Sequence, residues 1–558
     1  MADYLRLKKA NCKNCYKCIR HCPVKSISFS SNQANIVADE CILCGHCFVV
    51  CPQNAKEIRN DIPAAKALIA GNAPIYGSIA PSFVANFPGA TVDTMRKALT
   101  ALGFAGAEET AIGATIVKQR YDELVYQHAQ SVILSSCCHT VNLLIQKYYP
   151  EALPYLAHVL SPMQAHCSLL KEAHPAARTV FIGPCISKKA EAESYPGAVD
   201  CVLTFEELAE WLLEADIAVQ TGADASAHGK ARFFPTAGGI LKSMAADDPE
   251  YQYIAVDGIE NCKRALADVI EGRLQQCFIE LSACTGSCVG GPAMEKTHCT
   301  PAADTLHVNR YAKKLDFPVR MPESETLYKE IPFLGIHRQN PGSAAITEVL
   351  RKIGKTKPEH ELNCGFCGYD TCREKAAAVL LGKADLSMCL PYLKERAESF
   401  SDTIINNTPN GIIVLNEAFE VQQVNRAALE MMNIRLPQDI LGEQVVRILD
   451  PQIFFETLTQ KRPVLERPAY LADYKLHVAQ SVLYDSASHV LICILRDVTE
   501  LTLQHRQKEE MRKKTIETAD QVMEKQMRAV QEIASLLGET TAQTKVALHR
   551  LKEQMQDE

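Results

Sequence analysis

Between about residue 70 and residue 345 the chain alternates short apolar runs with helical stretches. SVILSS (131–136), RTVFIGP (178–184) and QQCFIEL (275–281) are three of these runs, and each leads into a loop containing cysteine. Strand, loop and helix in alternation predict an α/β fold with parallel sheets. In such folds sites form where loops leave the strand ends. The pattern changes after residue 400. NTPNGIIVLNEAFEVQQVNRAALEM (407–431) predicts strand, turn, strand and helix, and SHVLICILRDVTE (488–500) predicts a strong strand ending in Asp-Val-Thr-Glu. From 501 to 558 the chain is polar, helical in pattern and free of proline. One seam carries Ile516, Met523, Val530, Leu537, Thr544 and Leu551 at seven-residue steps, and a second carries Met527, Ala534, Thr541 and Leu548. About five heptads predict a coiled coil or helical bundle; a single amphipathic helix docked on the body is the other reading.

The 558 residues suggest three to four domains at about 150 residues each. Hydrophobic residues make up 47% and charged residues 22%, which excludes wholesale disorder. The net charge of −7, from 59 basic and 66 acidic residues, offers no basic excess for a phosphate backbone, so nucleic acid is not expected as a partner. No apolar run reaches the roughly 18 residues of a membrane span. The opening MADYLRLKKANCKNC has no apolar core of a secretory signal, so a cytoplasmic location is expected. The 23 cysteines change the picture most. In a reducing compartment they point to metal ligation rather than disulfides.

Residues 12–23 read CKNCYKCIRHCP and residues 41–52 read CILCGHCFVVCP, two copies of one ligand module. Three closely spaced thiolates can reach three irons of a cubane, and the fourth ligates the other cluster. Cys12, Cys15, Cys18 and Cys51 are therefore expected to hold one [4Fe–4S] cluster, and Cys41, Cys44, Cys47 and Cys22 the second. Zinc or free thiols are the bland alternative. Residues 1–60 resemble bacterial two-cluster ferredoxins, whose task is electron relay.

In the middle region the three loops read SSCCHTVN (135–142), GPCISKKAEAE (183–193) and ELSACTGSCVGG (280–291). Their spacing alone leaves a zinc site or structural thiols open for Cys138, Cys185, Cys284 and Cys288. The loops resemble the three signature motifs of the [FeFe]-hydrogenase catalytic domain, over residues 70–345, and IAPSF (79–83) resembles the family's Ala-Pro loop. The resemblance implies an H-cluster: a [4Fe–4S] cubane joined to a diiron unit carrying CO, cyanide and a dithiolate bridge. By position, Cys138, Cys185 and Cys284 would hold the cubane and Cys288 would bridge it to the diiron unit. Lys188 and Ser82 would donate to cyanide and Pro81 would shape the same wall. Cyanide is an anionic acceptor in a dry pocket, which suits a cation such as Lys188. Glu191, one helical turn on, can pair with Lys188. Cys137 matches the thiol that passes protons, although a buried small residue is its plain reading.

Departures from the family's pattern matter as much. Gly183 and Ser282 stand where hydrogen-producing members have Met, and His139 stands where Pro is usual. After IGA (112–114), Lys118, Gln119, Arg120 and Tyr121 do not fit the family's glutamate-lined proton route, with Asp122 or Glu123 as possible substitutes. A relay needs donors within about 3 Å of one another, so slow turnover is expected.

Cys364, Cys367, Cys372 and Cys389 resemble the four-cysteine iron–sulfur domain of corrinoid-protein reductases and predict a third [4Fe–4S] cluster outside the H-cluster, with zinc as the alternative. Cys167, Cys201, Cys262, Cys277, Cys299 and Cys493 read as buried thiols. Residues 398–500 resemble a PAS domain, with some other α+β domain as the alternative and His477 read as an ordinary strand residue. The tail resembles the dimerisation helices of sensor kinases, with His549 read as a solvated residue. The expected architecture is multidomain α/β and α+β: ferredoxin domain 1–60, H-cluster domain 70–345, four-cysteine domain 346–395, PAS domain 398–500 and coiled-coil segment 501–558. The expected function is a sensory [FeFe]-hydrogenase and homodimer reacting with H2 and protons, served by an electron-transfer partner and reporting to a kinase, phosphatase or regulator. The alternatives are a catalytic hydrogenase regulated by its PAS domain, and an iron–sulfur scaffold, related to eukaryotic hydrogenase-like proteins, without the diiron unit.

Overall fold

The computed structural model describes residues 4–8, 11–294, 300–336 and 340–554; Cys299 lies outside them. The chain divides into two compact units, Met1–Leu393 and Lys394–Glu558.

In the first unit the N-terminal module is the cysteine repeat made three-dimensional. Strands Leu5–Leu7 and Lys56–Ile58 pair antiparallel, Ile27–Ser30 and Gln33–Ile36 form a hairpin, and each cysteine run wraps around a one-turn helix, Lys17–Arg20 or His46–Val49. The left-handed backbone positions repeat as well. Asn14 corresponds to Leu43, Tyr16 to Gly45 and Lys25 to Asn54, each pair separated by the interval that separates Cys12 from Cys41. Gly45, at φ 74°, is required there, because a Cβ would sit 2.5 Å from the Pro292 ring.

The middle domain holds two parallel sheets. One has the order Gly106–Glu109, Ile75–Ile79, Arg178–Gly183, Cys201–Thr204; the other Gln252–Asp257, Cys277–Ser282, Val132–Leu134. Strands Val132–Leu134, Arg178–Gly183, Cys201–Thr204 and Cys277–Ser282 are mainly apolar and buried along almost their whole length, as sheets covered on both faces demand. The helices between them are well started. Ser161 and Thr204 each close a capping box with Gln164 and Glu207, the first followed by proline. Loops 80–82, 135–138, 184–186 and 283–288 all leave the carboxyl ends of these strands.

The four-cysteine module packs helix Ser343–Lys352 against helix Cys372–Leu380 around Val349, Leu350, Ile353 and Ala376. It docks on the N-terminal module through Arg20, which donates to the Phe366 carbonyl at 2.9 Å, and through a Lys383–Glu40 ion pair. The N-terminal module is tied in turn to the middle domain. Lys147 and the Tyr148 hydroxyl donate to the carbonyls of Cys41 and Glu40 at 2.9 and 2.6 Å.

The second unit is a five-stranded antiparallel sheet, in the order Val421–Val424, Gly411–Asn416, Val490–Asp497, Leu476–Asp485, Val464–Leu471, with helices Arg426–Met431 and Gln452–Gln460 closing an apolar core. Helix Thr499–Gln554 follows the last strand. Its root is anchored to strand residue His477, which donates its N–H to Thr499 Oγ1 at 2.9 Å and accepts Val498 N–H at 2.8 Å. The His477 ring packs on Tyr470 and serves as an ordinary strand side chain. Ile516, Met523, Val530, Leu537 and Leu551 are each more than half exposed along that helix, and His549 is exposed too.

Asn425 is the polar keystone of the second unit. It is fully buried, donates to the carbonyls of Ile405 and Asn410 at 2.8 and 2.9 Å, and accepts from Ile412 and Ala428 N–H at 2.7 and 2.9 Å. Asn425→Ala should destabilise this domain by about 3 kcal/mol, because it strands buried donors and acceptors and removes a helix cap. Amide exchange over Gly411–Asn416, followed by mass spectrometry, should accelerate about a hundredfold.

Candidate functional site

The described cysteines are free thiols, and sixteen of the sequence-predicted ligands gather in four neighbourhoods. Cys18 is pushed up to about 11 by burial, and the thiols acting on it are Cys12, Cys15 and Cys51. Cys44 is raised by burial and by Cys22, Cys47 and Cys41. The last cysteine of each run thus faces the other run's set. Backbone N–H groups of Ser26, Leu43 and Ala55 point at the sulfurs of Cys22, Cys41 and Cys51 at 3.3, 3.3 and 3.2 Å. Cys364, Cys367, Cys372 and Cys389 line one small pocket. Among the described residues no three His, Cys, Asp or Glu side chains stand close enough to hold a single metal ion. A polynuclear cluster does not need them to, since each thiolate binds a different iron.

Each of the four neighbourhoods adjoins the next. Cys284 interacts with Cys138, Cys185 and Cys288, and also with Cys44 of the second run. Cys47 feels Cys18 of the first run. Tyr16, beside Cys15, feels Cys367 of the four-cysteine module.

Next to Cys138, Cys185 and Cys288 lies a mainly apolar cavity walled by Pro81, Phe181 and Met163 among others. Ser82, Cys137, Lys188 and Ser282 also reach it. The Ser82 hydroxyl is fully buried and has no hydrogen-bond partner among the described residues. Lys188 donates to the Cys137 carbonyl at 3.1 Å and is ion-paired with Glu191. Burial opposes the Lys188 charge, but Glu191 outweighs it and the net shift favours the cation. Burial would neutralise Glu191, yet Lys188 and a second cation, Lys329, hold its carboxyl well below the usual range. Cys137 is pushed up to about 12 by burial, so it stays a thiol, in contact with the Tyr121 hydroxyl at 3.2 Å. His139 has neither ring nitrogen bonded among the described residues, and burial lowers it to about 3, so it is neutral. The Ser282 hydroxyl bonds that of Ser287 at 2.9 Å.

Three features lay outside the reach of the sequence. Lys329 comes from a strap about 140 residues after Glu191, with nothing local to mark it; its amine is 2.5 Å from Glu191 Oε1 and 4.3 Å from the Tyr195 ring centre. The suggested substitutes on the proton route have partners of their own. Asp122 caps Ala245 and Ala246 N–H, Glu123 pairs with Arg120 at 2.6 Å, and Lys118 pairs with Asp316 at 2.6 Å. It is Tyr121 that reaches Cys137. Finally, the space beside Gly183 is filled. A Cβ there would meet the Phe181 ring at 2.8 Å and Ala80 at 3.2 Å.

Thiol sets on loops at the ends of parallel strands, around an apolar cavity, define an iron–sulfur protein with an oxidoreductase-like fold. Residues 73–292 match the family model described as iron only hydrogenase large subunit, C-terminal domain. Residues 4–57 match a 4Fe-4S dicluster domain, 361–391 an Fe–S cluster domain and 399–467 a PAS domain. The chain therefore carries a hydrogenase-family domain between iron–sulfur modules, followed by a PAS domain. Among curated relatives, nuclear prelamin A recognition factor of Homo sapiens is 24% identical, over 53% of this chain and 82% of its own. Iron hydrogenase 1 of Clostridium pasteurianum is also 24% identical, over 53% of this chain and 60% of its own length. Cytosolic Fe-S cluster assembly factor NAR1 of Kluyveromyces lactis is 30% identical over 25% of this chain and 33% of its own. A solved structure of [FeFe]-hydrogenase HydA1 from Chlamydomonas reinhardtii overlaps with TM-score 0.42 and 17% identity, covering 50% of this chain and 100% of that one. Among the described residues no helix is long and apolar enough to cross a membrane.

Two outcomes are expected at this site. Gly183→Met should overpack the wall against Phe181 and cost about 1–3 kcal/mol in denaturation of the first unit, with partial recovery in the double variant carrying Phe181→Leu. Glu280, buried in the strand before Cys284, is pushed by burial from 4.5 to about 7, with backbone N–H groups of 238–241 offsetting part of it. The folded state therefore binds the extra proton between pH 4.5 and 7, and stability should fall by up to about 3 kcal/mol as pH rises through that window. Denaturation of the cluster-free protein at pH 5 and 8 checks this, and Glu280→Gln should remove the slope.

Proposed function

We propose that this protein is a sensory [FeFe]-hydrogenase, held in a reducing, cytoplasmic compartment. Cys138, Cys185, Cys284 and Cys288 would hold an H-cluster, which when bound supplies reversible cleavage of H2 into protons and electrons. Lys188 and Ser82 present donors to its cyanide ligands, Pro81 shapes the wall, and Glu191, itself held ionised by Lys188 and Lys329, keeps Lys188 charged and aimed. Cys137 holds a transferable proton at its sulfur. The carrying observation is the Ser82 hydroxyl. It is buried without a partner among the described residues, at the same cavity that Lys188 reaches, and it needs an acceptor there that those residues do not provide.

The line of thiol sets gives electrons a path from Cys284 through the two N-terminal sets to the four-cysteine set, which ends at Cys389, one residue before helix Leu390–Asn407 enters the second unit. A PAS sheet with a long exposed helix rooted on it suits a reporting role. Ser282 and the Phe181-filled wall beside Gly183 replace flexible thioethers, and slow turnover fits a sensor. A barrier about 3–4 kcal/mol higher corresponds to two to three orders of magnitude in rate. The scaffold reading is favoured by the relatives named as a recognition factor and an assembly factor. Infrared spectra of the matured protein separate the two: CO and cyanide stretching bands are expected, and their absence at full iron occupancy would falsify the hydrogenase reading.

The seam of Thr499–Gln554 leaves apolar side chains exposed that a second copy can cover by knobs-into-holes packing. Full-length protein should sediment as a dimer at micromolar concentration, and a version ending at Glu500 as a smaller species. Two monomers would instead assign the helix to a different partner.

A further inference from the structure

The cavity has a hydrogen-bonded exit that neither the motifs nor the suggested proton route includes. Thr110, at the carboxyl end of strand Gly106–Glu109, lines the cavity, and its hydroxyl lies 2.7 Å from that of Ser78. Ser78 Oγ lies 2.8 Å from His166 Nδ1, and His166 Nε2 lies 3.3 Å from Glu108 Oε2. Ser78 and His166 are fully buried and Thr110 nearly so, while the Glu108 side chain is 42% exposed. Every member can both give and take a proton, which is what a relay requires.

We infer that protons pass between the cavity and solvent along Thr110, Ser78, His166 and Glu108. The inference rests on the proposed reading of the cavity as a hydrogenase site. One proton enters at Thr110 Oγ1, the hydroxyl hydrogens of Thr110 and Ser78 each move one place outward, His166 accepts at Nδ1 and releases from Nε2, and Glu108 hands the proton to water. No electron moves and no residue is consumed; reorientation of the hydroxyls and the imidazole closes the cycle.

The Cys137 side offers no such exit. Tyr121 there bonds only Ser136 and Cys137 among the described residues, and Ser136 Oγ ends on the Val159 carbonyl. The charged or titratable groups facing the outer end of the relay are Arg96 and His174, which with His166 hold Glu108 below its usual range, the His166 hydrogen bond first. Cys167, pushed up to about 12 by burial, remains a neutral neighbour of Ser78.

The test uses full-length matured protein carrying Glu108→Gln, on the surface, or Thr110→Val, nearly isosteric, with Ser78→Ala as a second interruption. After a pH jump, interconversion of the CO and cyanide band sets should slow at least tenfold in each variant, with band positions unchanged and a larger solvent deuterium effect. In protein lacking the diiron unit, labelled-histidine NMR should show the His166 Nε2 signal move in Glu108→Gln and the Nδ1 signal move in Ser78→Ala. Wild-type rates in Glu108→Gln, or unmoved His166 signals, overturn the relay while leaving the hydrogenase reading intact. Absence of the bands from wild type overturns that reading itself, and the relay's role with it.

Discussion

One buried carboxylate governs the centre of this molecule. Glu191 has no exposed surface, yet it meets the amines of both Lys188 and Lys329. Two cations could not be kept in so dry a place without it, because removing one partner of a buried ion pair typically costs about 3–5 kcal/mol. The helix bearing Lys188, the strap bearing Lys329 and the loop bearing Cys137 are held together through this group. It converts a flexible lysine into a fixed positive charge at a cavity wall. A neutral neighbour such as His139 fits the same logic, since a further charge there would face two ammonium groups.

Local information was legible in the chain and distant information was not. The cysteine runs announce themselves because their ligands come from one loop each, and the left-handed positions that shape one loop recur in the other. The parallel strands are visible because burial on both faces leaves little room for polar residues. Lys329 is invisible because its partner lies far away in sequence, and lysine is normally a surface residue. Tyr121 was seen but set aside, because its hydroxyl acquires meaning only when the strand Val132–Leu134 delivers Ser136 and Cys137 to it. Gly183 shows a subtler limit. The missing side chain is evident, but that Phe181 occupies the space is a fact of packing.

In the proposed reading, electron-carrying and proton-carrying groups occupy different parts of the molecule. The thiol sets extend from the middle domain into the N-terminal repeat and the four-cysteine module, held by contacts between modules such as Lys147 with the Cys41 carbonyl. Ser78, Thr110, His166 and Glu108, the members of the inferred relay, stay within the middle domain, on or beside the strands Ile75–Ile79 and Gly106–Glu109 and the helix Pro162–Ala173.

The root of helix Thr499–Gln554 is small beside the helix itself. Two backbone-level hydrogen bonds to His477 and the Asp497 carboxylate on Thr499 N–H set its direction. At 1.5 Å per residue, 56 residues span about 84 Å. Such a rod is a lever: a tilt of about 10° at the fulcrum sweeps its far end through roughly 15 Å. A displacement too small to break a single strand pairing becomes, at the tip, a distance comparable to the diameter of a helix pair.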